Sequence, residues 1–242
     1  MQCDAPVSGE VILGIVDKKY HTKWYIKFRA LPIPVRAKLH DPERTRKELL
    51  HAAFQEIYKH GYQGASVNDI VAKTDVTKGA FFHYFPTKND LAYAIVDEIL
   101  KEMILDRWTR PLAAYRNPVQ GIIQRFRKII ESTPEESIRF GCPLNNLTQE
   151  MSAVDPVFRE KLNSVMRLWI DETERYLKIA QERNYLSKKV DPREVAEFVV
   201  MVEEGSFGMV KTLRDKQVYW SMFNSLKTYL ESLSEKSEIL VR

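Results

Sequence analysis

Four Asx-Pro steps do most to restrict what this chain can become: Asp41-Pro42, Asn117-Pro118, Asp155-Pro156 and Asp191-Pro192. Each puts a side-chain acceptor at a helix N-cap and a proline at the first helical position, where the missing N–H costs nothing. Asp191 with Glu194, Ser66 with Asp69 and Thr87 with Asp90 resemble capping boxes and, since Asp191 is already counted, bring the helix starts to six. Between the starts the apolar residues recur at helical spacing, as in Leu49, Leu50, Ala53, Phe54, Ile57 and Tyr58, then Ile122, Ile123, Phe126, Ile129 and Ile130. Phe158, Leu162, Val165, Met166, Trp169, Tyr176, Leu177 and Ala180 keep the same period and predict one long helix. Two more follow, from Val195, Phe198, Val199, Val202, Met209, Val210 and Leu213, and from Trp220, Phe223, Leu226, Leu230 and Leu233. The fold class is all-α.

Residues 1–40 read differently. Their β-branched and aromatic stretches, together with Pro32 and Pro34, predict an appendage: a strand pair, a basic arm, or sequence upstream of the true start. Residues 1–90 hold 14 Lys plus Arg against 10 Asp plus Glu, while the remaining 152 hold 23 against 23. A basic end on a neutral body suits a polyanion partner, and it equally suits a solvated surface. Cys3 and Cys142 are too few for a disulfide framework or a four-ligand zinc site, which predicts a reducing compartment. No apolar run approaches the roughly 18 residues of a membrane span. The expectation is a cytoplasmic protein with no metal, no cofactor and no membrane partner.

The segment Ser66 to Leu91, SVNDIVAKTDVTKGAFFHYFPTKNDL, narrows the function. It reads as a short helix (Val67 to Thr74), a tight turn at Asp75-Val76, and a second short helix (Lys78 to Phe85) capped by Thr77. A break at Pro86 precedes a long helix opened by Thr87 and running to about Trp108. Two short helices joined by such a turn form a helix-turn-helix. Ile70, Val76, Phe81 and Phe85 face inward to join Leu50, Phe54 and Ile57. Thr77, Lys78, Ala80, Phe82, His83 and Tyr84 stay near the outer face, as a reading head for a DNA major groove requires.

Over these residues the chain resembles the TetR family of bacterial transcriptional regulators, in register from Gly61 to Leu91 and more loosely over residues 43–233, including Gly141 to Met151 (GCPLNNLTQEM). Four positions depart from the family pattern. Asp75 stands where Gly is usual in the turn, and Asp tolerates positive φ. Val71 replaces Ala, Ala80 replaces a hydroxyl residue, and Phe82 replaces a Tyr whose hydroxyl reaches a phosphate in relatives. The resemblance implies an N-terminal three-helix DNA-binding domain (41–90) and a larger helical ligand-binding and dimerisation domain (91–234), with a tail at 235–242. The DNA-contact candidates are Arg44, Arg46, Ser66, Thr77, Lys78, Gly79, Ala80, Phe82, His83, Tyr84 and Lys88. Lys78 and Lys88 open helices aimed at one surface, which suits phosphates, although either is also an ordinary surface lysine. Ser66 and Thr77 are N-caps in any case.

The resemblance also implies a cavity for an apolar or aromatic small molecule among the middle helices. Trp108, Tyr115, Phe126, Asn145, Gln149, Met166, Trp169, Thr173, Glu203 and Phe207 combine bulk with a few polar groups, although each alone is more often packing. Cys142 adds two alternatives: a small buried apolar residue, or a thiol sensor of electrophiles, which needs a lowered pKa and exposure. The five histidines show no ligand spacing and no carboxylate cluster, so an enzyme is not expected. The expectation is a ligand-responsive repressor that binds an inverted repeat as a homodimer built on Arg193 to Leu213 and Lys216 to Leu233. There Gly205, Ser206 and Gly208 allow close helix approach. A helical interaction module without DNA binding is the alternative from another class.

Overall fold

The computed structural model describes residues 41–234, and every described element is helical. The appendage at 1–40, with Cys3, and the tail at 235–242 lie outside the described residues. All four Asx-Pro steps open helices. The Asp41 carboxylate accepts from the backbone N–H of Glu43 and Arg44 at the start of α1 (Pro42–Gly64). Asn117 opens α6 (Pro118–Ser132), Asp155 opens α9 (Pro156–Glu182) and Asp191 opens α10 (Pro192–Leu213), each accepting N–H groups of the first turn. Of the three expected capping boxes, Thr87 with Asp90 closes reciprocally. The Ser66 hydroxyl caps Asp69 N–H but donates to the Asp69 carboxylate, and Asp191 bonds to Arg193 N–H alone.

The helix-turn-helix is shorter in its first arm than the sequence suggests. Here α2 spans Val67–Val71, and Ala72 to Val76 make the reversal, held by Thr74, whose hydroxyl donates to Val71 O and accepts from Val76 N. Five residues turn the chain without a left-handed position: among the described non-glycine residues only Asn184 and Arg214 have positive φ, so Asp75 does not use its tolerance for it. The second arm, α3 (Lys78–Tyr84), buries Phe81 completely. Ile70 and Phe85 join Leu49, Leu50, Ala53 and Ile57 in the same core.

From Lys88 the chain is helical as far as Ala114, beyond the expected end near Trp108. This rod consists of α4 (Lys88–Ala94), a wide π turn (Ile95–Leu100), α5 (Lys101–Ile104), a second wide turn (Leu105–Thr109) and a 3₁₀ end (Arg110–Ala114). The wide turns answer a pattern in the sequence. Ala92, Val96, Leu100, Ile104, Trp108 and Leu112 are all buried and repeat every fourth residue. A pure α-helix would let such a row drift by about 40° per step. If each wide turn takes up one extra residue, the twenty residues from Ala92 to Leu112 make about five α-turns, and the row stays straight against the body.

The body adds α7 (Glu135–Ile138), α8 (Pro143–Met151) and α11 (Gln217–Ser232) to α6, α9 and α10. The long α9 crosses the rod, α6, α8 and α10, with Phe158, Leu162, Val165, Trp169 and Leu177 buried along one face. On α10 the periodicity overstates the core. Phe198, Met209 and Leu213 are exposed together with Met201, because these positions form a second apolar stripe on the opposite face.

Candidate nucleic-acid interface and polar cluster

On α3, Thr77 accepts Ala80 N–H at 3.2 Å and leaves the first turn facing outward. Lys78, Gly79 and His83 are exposed, and Lys78 has no carboxylate partner among the described residues. Phe82 is 43% exposed and packs edge-on against Phe81. Ala80 and Tyr84 are half-buried, and Tyr84 lies against the core. Lys88 extends over the Tyr62 ring, its Nζ 4.3 Å from the centroid, and partial burial lowers its pKa. Arg44 pairs with Glu48 on its own helix. Arg46 is committed to architecture: its guanidinium grips Glu98 of the rod through two hydrogen bonds and covers the Phe85 ring. Residues 41–90 contain seven Lys plus Arg and seven Asp plus Glu, so the basic surplus belongs to residues 1–40, outside the described part.

The head is clamped to the body at a point the sequence reading passed over. Gly61 breaks α1 with φ +77°, and the next two N–H groups, of Tyr62 and Gln63, donate to Glu150 Oε2 and Oε1 at 2.8 Å each. A Cβ on Gly61 would stand 3.1 Å from Glu150 Oε2. Alongside, the Tyr58 hydroxyl donates to Gly141 O, and Tyr93 and Asn89 donate to Asp155. Thus the head is held at both ends of α8, by Gly141 before its first turn and Glu150 in its last. From the first turn Asn145 donates to Glu204 O and Asn146 accepts from Lys211, both partners on α10.

The expected ligand residues fall into two groups. Trp108 packs edge-on against Phe126 (4.9 Å between centroids) and tilted against Trp169 (5.3 Å), with the Thr173 hydroxyl turned onto Trp169 O. Met166 lies at the margin of the core. Cys142, Asn145, Glu203 and Phe207 belong to a buried cluster with polar members around α10. Two residues stand apart. Gln149 is on the exposed face of α8, and the Tyr115 ring covers Gly121 and lines an outer groove of about 590 Å³ with Arg116, Arg183 and Tyr185.

Three members of the cluster, Glu204, Arg107 and Tyr219, are not among the residues expected from the sequence. Glu203 is 1% exposed and Glu204 8%; Glu203 Oε1, both Glu204 carboxylate oxygens and the Tyr219 hydroxyl have no hydrogen-bond partner among the described residues. Burial pushes the Glu204 carboxyl up to about 7, against the pull of neighbouring Cys142 and Asn145. Burial raises Glu203 well above its ordinary range, opposed by Arg107, whose guanidinium lies 5.9 Å from the Phe207 ring centroid. Burial and then Glu203 raise Tyr219. The Cys142 thiol is likewise raised by burial, the opposite of what a reactive thiolate requires. Two adjacent glutamates inside an apolar helix were the signal available in the sequence.

A helix-turn-helix head on a helical body defines a DNA-binding regulator, and comparison with known proteins agrees. Residues 49–95 match the sequence profile of bacterial regulatory proteins of the tetR family, and residues 117–226 match the tetracyclin repressor-like C-terminal domain. The chain is 30% identical to an HTH-type transcriptional regulator from the lacX 3' region of Lactococcus lactis subsp. lactis, over 79% of this chain and 96% of that protein. It is also 30% identical to the transcriptional regulator AcuR of Cereibacter sphaeroides, over 69% of this chain and 76% of the relative. A TetR transcriptional regulator from Chloroflexus aurantiacus superposes with a TM-score of 0.71 at 25% identity, covering 80% of this chain and 97% of that one. The chain belongs to the TetR family of transcriptional regulators, and the reading as a bare interaction module is set aside. No helix among the described residues is long and apolar enough to cross a membrane.

Proposed function

We propose that this protein is a ligand-responsive repressor that holds an inverted-repeat operator as a dimer and releases it when a small molecule with an apolar or aromatic body binds among the middle helices. The observation that carries this reading is the head itself: α3 presents Lys78, Gly79, Phe82 and His83 outward, while Glu150 and the Arg46–Glu98 pair fix the head to the body. Phosphate contacts from Lys78 and Lys88 position the head, and His83 with Phe82 meets base edges. The outer stripe of α10, Phe198, Met201, Gly205, Gly208, Met209 and Leu213, supports a two-fold contact, with open space above both glycines. Two heads then enter successive major grooves, and a change of angle in the rod or in α8 alters their separation. The noncovalent effector is preferred to a Cys142 sensor because that thiol is buried and held protonated.

The test is operator binding by fluorescence anisotropy across a salt series, on a fragment recovered from the genome by the purified protein. Replacing both Lys78 and Lys88 with Ala is expected to weaken all sequences alike and to flatten the salt slope by about one to two units. Unchanged affinity and slope in that variant would reject the assignment. His83→Ala is expected instead to change the preferred sequence.

A further inference from the structure

We infer that the outer groove between the end of the rod and the end of α9 is a second ligand site, which takes an aromatic carboxylate, its charge met by Arg116 and Arg183 and its ring by Tyr115 and Tyr185. None of Trp108, Phe126 and Trp169 lines this groove, so the site goes beyond the effector reading above. Its volume, about 590 Å³, falls in the range of small-molecule sites. Both walls are built into the fold. The Tyr115 ring lies on Gly121 of α6, where an added Cβ would come within 3.0 Å of the ring's Cγ. Glycine inside a helix costs about 1 kcal/mol against alanine, and here its bare backbone is what lets the ring approach. Opposite, α9 ends in a Schellman turn: Asn184 takes φ +59°, its N–H donates to Gln181 O at 3.1 Å, and the Tyr185 N–H donates to Ala180 O at 2.8 Å. That turn brings Tyr185 back against the core next to Arg183.

The sign of the ligand follows from the side chains themselves, because a guanidinium stays protonated at every working pH. Arg183 Nη1 donates to Arg116 O at 3.0 Å, which ties the two walls together and uses one of that fork's five N–H groups. Among the described residues neither guanidinium pairs with a carboxylate. Arg110 of the same rod end, by contrast, is met by Glu102 and Asp106. No Asp or Glu lines the groove, and Glu182, next to Arg183 in sequence, is exposed outside it. Two like charges share one groove without a counter-charge, and a carboxylate supplies it through the planar fork that guanidinium favours. The two phenol rings and the methyls of Ala113 and Ala114 give the same groove an apolar surface, which a bare inorganic anion leaves unused. A ring with two carboxylates offers one to each arginine.

The experiment measures binding of isophthalate and benzoate to the full chain by isothermal calorimetry at neutral pH. The comparison ligands are benzyl alcohol, which keeps the ring, and acetate and inorganic phosphate, which keep the charge. Isophthalate is expected to bind at least about tenfold more tightly than any of the three, with benzoate between, and to weaken severalfold as salt is raised. Arg116→Gln and Arg183→Gln are each expected to lower isophthalate affinity about tenfold, and Arg183→Lys, which keeps the charge but loses the fork, severalfold. Arg159→Gln removes the same charge near the opposite end of α9 and is expected to leave binding unchanged. Circular dichroism verifies that each variant folds. Failure of isophthalate to bind, or equal binding to the protein that carries both Arg116→Gln and Arg183→Gln, overturns the site. An equal loss with Arg159→Gln overturns it as well, since attraction to positive charge anywhere on the body then accounts for the binding. Acetate or phosphate binding as tightly as isophthalate overturns the aromatic carboxylate as its ligand.

Discussion

Glu204 is the residue whose environment departs furthest from what its neighbours in sequence suggest, and that departure has a measurable price in stability. Its carboxyl is raised from 4.5 to about 7 in the folded protein, so the folded state binds the proton more tightly than the unfolded chain. The stabilising contribution is therefore full below the unfolded value and is lost as pH rises through 7, amounting to roughly 3 kcal/mol. Glu204→Gln is expected to remove that slope and to raise the melting temperature at pH 8 more than at pH 5, which calorimetric melting at the two pH values checks. The sequence makes half of this visible. Glu203 is among the ligand candidates and Glu204 is not; adjacent helical residues point about 100° apart, so one apolar face does not by itself bury both. Both are buried because α10 packs against α9, α11 and α7, with Asn145 of α8 bonded to Glu204 O.

At the scale of elements, the contact between α8 and the break in α1 joins the head to the body. Gly61 holds φ +77°, and Glu150 fills the space beside it. Gly61→Ala is expected to destabilise the protein by about 1–2 kcal/mol through backbone strain alone, read as a melting temperature lower by several degrees. Glu150→Gln keeps the size but turns an amide NH₂ toward one of the two N–H groups. It is expected to weaken operator binding severalfold with helix content unchanged, measured by anisotropy and circular dichroism on the same preparation. The elements themselves were legible because caps act within three residues: Asp41, Asn117, Asp155 and Asp191 each bond to N–H groups two or three positions ahead. The clamp was not, since Glu150 and Tyr62 are 88 residues apart and no local pattern links them. Its neighbour Gln149 attracted the ligand reading and is exposed.

For the whole molecule, the exposed stripe on α10 sets the expected assembly. Met201, Met209 and Leu213 are each more than half exposed, and among the described residues nothing lies within 4 Å of a Cβ added at Gly205 or Gly208. Replacing Met201 and Met209 together with Glu is expected to give a monomer by light scattering at micromolar concentration, with unchanged helix content and operator affinity reduced by orders of magnitude. A dimer of normal operator affinity in that variant would place the contact elsewhere. The rod carries a different consequence, for how this chain tolerates changes of length. Because each wide turn holds a surplus residue, omission of Asp97 lets that turn tighten into an ordinary α-turn without rotating Trp108 or Leu112 out of the row, at the loss of an exposed ion pair with Lys161. The same omission at exposed Arg127, in the regular helix α6, would turn every later residue by about 100° and withdraw Ile129 and Ile130 from the core. The first shortened chain is expected to fold and melt cooperatively and the second to be insoluble, so the rod is the place where this scaffold can lose a residue and keep its shape.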